Sequence, residues 1–250
     1  MPTHDFRTQR LFVEASLAEG REVTLDKPQS HYLTNVLRME AGAPLLLFNG
    51  RDGEWRATIA RAHKTATVLA LIDQARPQTP PSPITYAFAP LKSARLDYMV
   101  QKAVEMGAGR LQPVLTHHTQ VTRVNVERMR ANVREAAEQC GLLGLADVAQ
   151  PVSLEALLIA REGNGGEADH LLMCDERAEA PALMLLQGLS PGPATLLVGP
   201  EGGFSGDERE RLVVAGAVRL SLGPRILRAD TAAVAGLALL QAVLGDGREG

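Results

Sequence analysis

Two stretches near the C-terminus hold the residues best suited to chemistry. Leu196 to Glu208 reads LLVGPEGGFSGDE, and Leu220 to Ala232 reads LSLGPRILRADTA. The first is an apolar run that ends in Gly199, Pro200, Glu201, Gly202 and Gly203. The second runs from Leu220 and Leu222 into Gly223 and continues through Arg225, Ile226, Leu227, Arg228 and Asp230. Glycine-rich turns at the start of a helix expose amide N–H groups to anions, so a phosphate is the first ligand to weigh. The residues argue against it. A P-loop ends its glycine run in Lys followed by Ser or Thr, and the dinucleotide fingerprint has a different glycine spacing; Glu201 would repel a phosphate. The loop suits a ligand carrying positive charge, or close backbone packing alone.

These loops need elements to hold them. From Ile84 onward strand-like and helix-like runs alternate: ITYAFAPL with RLDYMVQKAVEMG, RLQPVLT with VERMRANVREAAEQC, DHLLMCDE with APALMLLQGL, TLLVG with SGDERERLVVAG, and VRLSLG with DTAAVAGLALLQAVL. That alternation predicts a mostly parallel sheet with helices packed on it. Ligands of open α/β sheets sit outside the carboxyl ends of the strands, so both loops should line one site. Ser205 and Glu208 form a capping box that starts a helix right after the glycines. Asp230 reads as the N-cap of the last helix. GNGG and SPGP read as loops.

Ahead of this region, ARPQTPPSP, residues 75–83, has the proline content of an extended, semi-rigid linker. Residues 1–74 contain short strand-like runs, REVTLD, APLLLFNG, EWRATIA and TATVLALID, with Asn49-Gly50 and Asp52-Gly53 as turn signals, which predicts a small, mainly β domain. SHYLTNVLRM interrupts it as a helical pattern, with Tyr32, Leu33, Val36 and Leu37 on one face.

Hydrophobic residues make up 45% of the 250 and charged residues 22%, which excludes a disordered chain. Aromatic residues, at 4%, leave little for base stacking, so any RNA contact should rely on Arg and Lys. Cys140 and Cys174 lack the spacing of a disulfide framework or a metal site and fit a reducing, cytoplasmic setting. The N-terminus has no signal-peptide core, and the longest apolar run is broken by Gln241 and too short to span a membrane. Net charge is −3, but it is unevenly placed. Lys92 to Arg134 has eight basic against three acidic residues, a net of +5, and the remainder from Glu135 has eight against seventeen, a net of −9. A basic segment on an acidic chain suggests one directed anionic partner.

The two C-terminal stretches together resemble the paired motifs of the SPOUT class of RNA methyltransferases, and most of all the RsmE family of 16S ribosomal RNA uridine-N3 methyltransferases. RLFV near the start, HYLTNVLRMEAGAPLLLFNGRDGEW, KSARLDYMVQKAVEMGAGRLQPV and REAAEQCG extend the resemblance over nearly the whole chain. It implies an α/β fold with a small N-terminal PUA-like β-barrel that binds RNA, residues 1–74, the linker, and a SPOUT α/β domain, residues 84–250, with a C-terminal trefoil knot. It implies a homodimer acting on 16S rRNA or the small ribosomal subunit, with S-adenosylmethionine as cofactor and neither metal nor membrane.

On that resemblance, Gly199, Glu201, Gly202, Gly203 and Gly223 bring bare backbone or a favourable charge to the cofactor, and Leu220, Leu222, Ile226 and Leu227 form apolar walls. Uridine N3 is protonated at neutral pH, so the proton must leave or the uridinate must be stabilised. Catalytic candidates are Arg228, Arg225 and Asp230. A carboxyl with a pKa of roughly 4 is a weak base, whereas an arginine can stabilise charge on the uracil oxygens, and Arg228 is favoured for this. Candidates for RNA contact are Arg10, Arg38, Lys92, Arg95, Lys102 and His118. The chain departs from the family pattern at Ala229 and Asp230, where Thr and Glu are usual, and at His118, where Arg is common; CGLLGLADV lacks an Arg that often follows EQCG. A non-catalytic ribosome assembly factor would keep the basic segment without needing two bare loops. An enzyme for a phosphorylated metabolite would need a basic residue in GPEGG.

Overall fold

In the computed structural model, which describes residues 7–121, 123–163 and 169–246, the chain divides into two units. One comprises residues 1–80 with 137–145, the other residues 81–136 with 146–250. Residues 164–166 of the expected GNGG loop lie outside the described residues.

The first unit is a five-stranded sheet of β1 (Arg10–Phe12), β2 (Glu22–Thr24), β3 (Pro44–Phe48), β4 (Glu54–Arg61) and β5 (Val68–Arg76), in the order β1-β3-β4-β5-β2. Only β1 and β3 run parallel. Register shifts along β4 and β5 act as bulges that curl the sheet. Alternate residues, among them Leu45, Leu47, Ala57, Ile59, Leu69 and Leu71, form its core. The turn between β3 and β4 is held by Asn49, whose Oδ1 accepts from the amides of Arg51 and Asp52 at 3.0 and 2.9 Å. The expected helix in SHYLTNVLRM is instead α1 (Lys27–His31), capped by Asp26 and continued by a π-helical segment, Tyr32–Val36. The wider turn breaks the 3.6-residue register. Of the four apolar residues at helical spacing, only Leu33 is buried, and Tyr32, Val36 and Leu37 face solvent.

Arg10 requires a correction. Expected to touch RNA, it is buried on β1 with its Nε donating to Glu54 at 2.7 Å. The guanidinium stacks over Phe48 and donates to the carbonyls of Ala137, Glu138 and Leu142. Arg76 closes the other side, donating to both oxygens of Glu54 and to the carbonyl of Gly141. Carbonyls at and just past a helix C-terminus have acceptor capacity to spare, and these two cations take it up. Residues 137–145 are thereby tied into the first unit, with Ala137 and Leu143 packed on Phe12 and Phe48. Burial alone would raise the pKa of Glu54, but its hydrogen bonds and charge pairing with Arg76 and Arg10 outweigh that and hold it below the usual value.

The second unit carries β6 (Ile84–Phe88), β7 (Arg110–Leu115), β8 (Asp147–Val148), β9 (Val152–Ser153), β10 (His170–Cys174), β11 (Ala194–Val198) and β12 (Val218–Leu220). The sheet order is β12-β10-β11-β6-β7-β8, with every pairing parallel, and β9 pairs with β7. Its helices are α2 (Ser93–Glu105), α3 (Val126–Cys140), α4 (Leu154–Gly163), α5 (Ala182–Gln187), α6 (Gly206–Val214) and α7 (Ala229–Val243). The strand–helix alternation is as the sequence predicts, with α4 and the short β8 and β9 added. The last turn of α3, from Ala137, counts with the first unit.

Packing of α7 fixes the C-terminal motif. Gly236 lies so close to β11 that a β-carbon there would come within 2.8 Å of Leu196 Cδ2. Gln241, which interrupts the apolar run, donates to the carbonyls of Met106 and Gly107 at 3.0 and 2.9 Å, so the polar residue locks α7 to the end of α2. Gly107 adopts a φ of 74° there, and a β-carbon would collide with the Gln241 amide. Among the described residues no helix is long and apolar enough to cross a membrane.

Candidate functional site

Three loops at the carboxyl ends of β10, β11 and β12 enclose a cleft of about 250 Å3, close to the roughly 300 Å3 at the small end of ligand pockets. Every residue expected to hold a cofactor lines it: Gly199, Glu201, Gly202, Gly203, Leu220, Leu222, Gly223, Ile226 and Leu227. Arg225 lines it too. Arg228 and Asp230 are not among the lining residues. Ile226 is 88% exposed, an apolar side chain at the cleft with nothing of the protein over it.

The glycines of the β11 loop have reasons within the protein. A β-carbon on Gly199 would fall 3.0 Å from the ring of Phe204, which is buried beneath the loop. One on Gly202 would fall 3.1 Å from Cβ of His118. Gly203 has a φ of 65°, in the left-handed region, and its amide donates to the carbonyl of Pro200 at 2.8 Å to close a tight turn. His118 reaches the same turn, with Nδ1 3.0 Å from the carbonyl oxygen of Gly203. The expected capping box is present: Ser205 Oγ accepts from the Glu208 amide, and Glu208 Oε2 accepts from the Ser205 amide. The other oxygen of Glu208 accepts from the His117 amide at 2.7 Å, which ties the loop after β7 to the start of α6.

The β12 loop differs from expectation at its end. Helix α7 begins at Ala229 with Arg228 as the N-cap residue and no side-chain cap bond, so Asp230 sits inside the first turn and is not the cap. There its carboxylate faces the positive end of the helix dipole. Asp230 Oδ1 accepts from the Thr231 amide at 2.9 Å, and Oδ2 accepts from Nε and Nη2 of Arg95, both at 3.1 Å. Nη1 of Arg95 donates to Glu201 Oε1 at 2.7 Å. Two of the residues expected in separate roles, Arg95 on RNA and Glu201 beside a cationic ligand, are thus ion-paired with each other. Arg225 and Arg228 are exposed, and their guanidiniums make no hydrogen bond or ion pair among the described residues.

A third loop escaped the sequence reading. Cys174, Asp175 and Glu176 also line the cleft. Asp175 is buried, bonded through Oδ2 to Arg219 Nε at 2.7 Å and through Oδ1 to the Arg177 amide at 3.0 Å, with Arg209 close by. Burial would raise its pKa, but these hydrogen bonds and the two arginine charges outweigh that and keep it below the ordinary value. Glu176 accepts from Arg209 Nη2 at 2.7 Å, and that same nitrogen packs on Gly203. Burial pushes the Cys174 thiol up to about 12, so it is a neutral wall of the cleft. The signal was available, because DHLLMCDE is a third strand of the same sheet with chemistry-bearing residues at its carboxyl end.

The remaining residues expected on RNA are divided between the two units. Lys92 is exposed at the start of α2, and Lys102, on the same helix, is paired with Glu105. Arg38, in the first unit, is exposed and has a φ of 55°, rare for a residue with a side chain. Within the basic segment, Arg110, Arg128 and Arg130 are paired with Asp147, Asp97 and Glu127. Asp97 and Glu127 are already counted in the segment's net charge of +5, so of these pairs only Arg110–Asp147 offsets it from outside.

Residues 78–241 match the family model of an RNA methyltransferase domain, and residues 25–70 match that of an RNA methyltransferase PUA domain. The ribosomal RNA small subunit methyltransferase E of Synechocystis sp. is 35% identical over 94% of this chain and 78% of its own length. The protein of that name from Rickettsia conorii is 32% identical over 92% of this chain and 93% of its own. Among solved structures, a methyltransferase of Legionella pneumophila in complex with the cofactor SAM superposes with a TM-score of 0.84 at 29% identity, covering 96% of this chain and 99% of that one. A ribosomal RNA small subunit methyltransferase E of Neisseria gonorrhoeae bound to S-adenosyl methionine superposes at 0.83 and 26% identity, with the same coverage. The paired loops that set this cleft, embedded in a likeness running the length of the chain, belong with these enzymes: the chain is a member of the ribosomal RNA small subunit methyltransferase E family of RNA methyltransferases.

Proposed function

We propose that this chain transfers the methyl group of S-adenosylmethionine to N3 of a uridine in 16S ribosomal RNA. The observation that carries the reading is the cleft itself: three strand-end loops with turn backbone, carboxylates and apolar walls on the inside, and the two unpaired guanidiniums of Arg225 and Arg228 on one of those loops. The cofactor has a cationic sulfonium, an amino-acid end and a flat base. The residues fit it. Glu176 and Glu201 supply negative charge, the turn at Pro200–Gly203 supplies backbone, and Ile226, Leu222 and Leu220 supply an apolar wall left uncovered by the protein at Ile226. When bound, the cofactor provides an electrophilic methyl group.

The task left to the chain is the uracil. The N3 proton passes to solvent, and the negative charge it leaves rests on the flanking oxygens until the N3–methyl bond forms and neutralises it. A guanidinium aimed there stabilises that charge without any need for a matched pKa. Arg225 lines the cleft and becomes the first candidate, with Arg228, three residues nearer α7, the second. Both oxygens of Asp230 are already engaged, by Arg95 and by the Thr231 amide, so the arginines are preferred to it as catalytic candidates.

The finer fold reading rests on similar support. The curled sheet of the first unit serves as a PUA-like RNA-binding barrel. A trefoil knot in the second is supported by the chain path: Ser221 exchanges backbone hydrogen bonds with Ala180 and Ala182, and the chain then turns back so that α7 packs on β11, α2 and α5. A homodimer through α7 and α5 is supported by Leu183 and Met184, which leave α5 exposed beside α7. Mass spectrometry of ribosomal RNA after incubation with the protein and methyl-labelled cofactor tests the function. One labelled uridine carrying the methyl on N3 is expected; absence of label from 16S rRNA, both naked and in small subunits, overturns it.

A further inference from the structure

Glu201 stands on the loop after β11 and Asp230 in the first turn of α7, just past the loop after β12, and in the sheet those strands are separated by β10. Among the described residues no backbone hydrogen bond joins the segment 199–204 to the segment 221–230. Among the described side chains, Arg95 alone hydrogen-bonds to both segments. Arg95, one third exposed in the first turn of α2, gives Nη1 to Glu201 at 2.7 Å and Nε with Nη2 to Asp230 at 3.1 Å. We infer that Arg95 is a positioning residue that fixes the two cleft loops relative to one another, and that cofactor affinity depends on this bridge; the inference rests on the proposed S-adenosylmethionine site.

The chemistry of the group favours this over an RNA contact. A guanidinium presents donors in a rigid plane along two edges, so it can face two carboxylates at once, which an ammonium cannot do with fixed geometry. Three of its nitrogens are already engaged, and two carboxylates compensate its single charge. A phosphate would have to displace one of them. Each carboxylate also gains: Glu201, at the rim of a cleft that contains Glu176, is held in place by the opposite charge, and Asp230 is fixed in the first turn of α7. Moving either loop would alter the spacing between the turn at Pro200–Gly203 and the wall formed by Leu222 and Ile226.

Calorimetry with S-adenosylmethionine on Arg95→Gln, Arg95→Lys, Glu201→Gln, Asp230→Asn and the doubles tests the bridge, with circular dichroism to confirm the fold. Arg95→Gln is expected to weaken cofactor binding by about tenfold or more, Arg95→Lys to recover little of it, and Arg95→Gln with Asp230→Asn to be no worse than Arg95→Gln alone. RNA binding should keep its salt dependence in Arg95→Gln, whereas Lys92→Ala should reduce the slope by close to one. Wild-type cofactor affinity in Arg95→Gln together with a reduced salt slope would make Arg95 an RNA ligand and overturn the inference. Additive losses in the doubles would overturn it too. If Arg95→Gln does not fold, Asp230→Asn alone decides, since it removes one arm of the bridge: unchanged affinity refutes the inference. Failure of the wild-type protein to bind the cofactor would refute the proposed function instead.

Discussion

His118 is the neighbour that keeps Gly202 bare. Its Cβ and Cγ lie 3.1 and 3.2 Å from where a Gly202 side chain would begin, and its Nδ1 is 3.0 Å from the next carbonyl oxygen, that of Gly203. Gly202→Ala should therefore push His118 away and shift the Pro200–Gly203 turn, weakening S-adenosylmethionine binding by about tenfold, the scale of a modest overpacking cost. Adding His118→Gly removes the colliding atom and should restore most of that affinity. Calorimetry on the single and double variants checks this. No recovery in the double would mean that Gly202 is bare for the sake of the ligand.

The Arg10–Glu54–Arg76 cluster sets a pH dependence for the first unit. Glu54 is buried, and its pKa is held below the unfolded value. The unfolded chain then takes up the proton first, so the stabilisation is complete above about pH 4.3 and is lost as pH falls below it. Glu54→Gln leaves two arginines around a neutral group and should cost about 3 kcal/mol at pH 7. Thermal melts should show the wild type losing its advantage over the variant as pH drops towards 3. A constant gap across that range would show that the charge of Glu54 is not what stabilises the unit.

Cys174 offers a check on the closure of the cleft's inner wall. With its thiol pushed up to about 12, only about one molecule in ten thousand is a thiolate at pH 8. Iodoacetamide should leave Cys174 unmodified in the folded protein and label it after denaturation, as read by peptide mass mapping. Rapid labelling of the native protein would mean that the wall opens to solvent.

How much of this was readable in advance follows from how far apart the partners lie. The strand–helix alternation, the capping box of Ser205 and Glu208 and the two cleft loops depend on residues within a few positions of one another, and sequence periodicity reports such neighbours. Arg10 looked like any surface arginine because its partners are 44 residues away at Glu54 and 127 or more away at Ala137, Glu138 and Leu142. The same distance hid Arg95, whose carboxylates lie 106 and 135 residues on. In SHYLTNVLRM the amino acids suit a regular helix, and the one-residue widening at Tyr32–Val36 leaves no mark in the spacing. Asp175 and Glu176 were legible by the strand-end rule that found the other two loops.

Arg225 and Arg228 divide the last question between them. Both are exposed and unpaired among the described residues, but only Arg225 lines the cleft, whereas Arg228 occupies the N-cap position of α7. A guanidinium that stabilises charge on the uracil acts chiefly in the transition state, so replacing it should leave cofactor affinity intact and lower turnover. Loss of one such donor typically costs about 3 kcal/mol, or roughly a hundredfold in rate. Arg225→Ala should show that loss, and Arg228→Ala a smaller one. Raising the pH should partly restore the stronger mutant, because solvent then supplies more of the deprotonated uracil for which the arginine is no longer present. Single-turnover rates across pH 7 to 9, with cofactor affinity measured alongside, give the answer. The larger, pH-rescued loss in Arg228→Ala would return the catalytic role to the residue that the sequence favoured, and equal loss of cofactor affinity in both would show that these arginines only hold the loop.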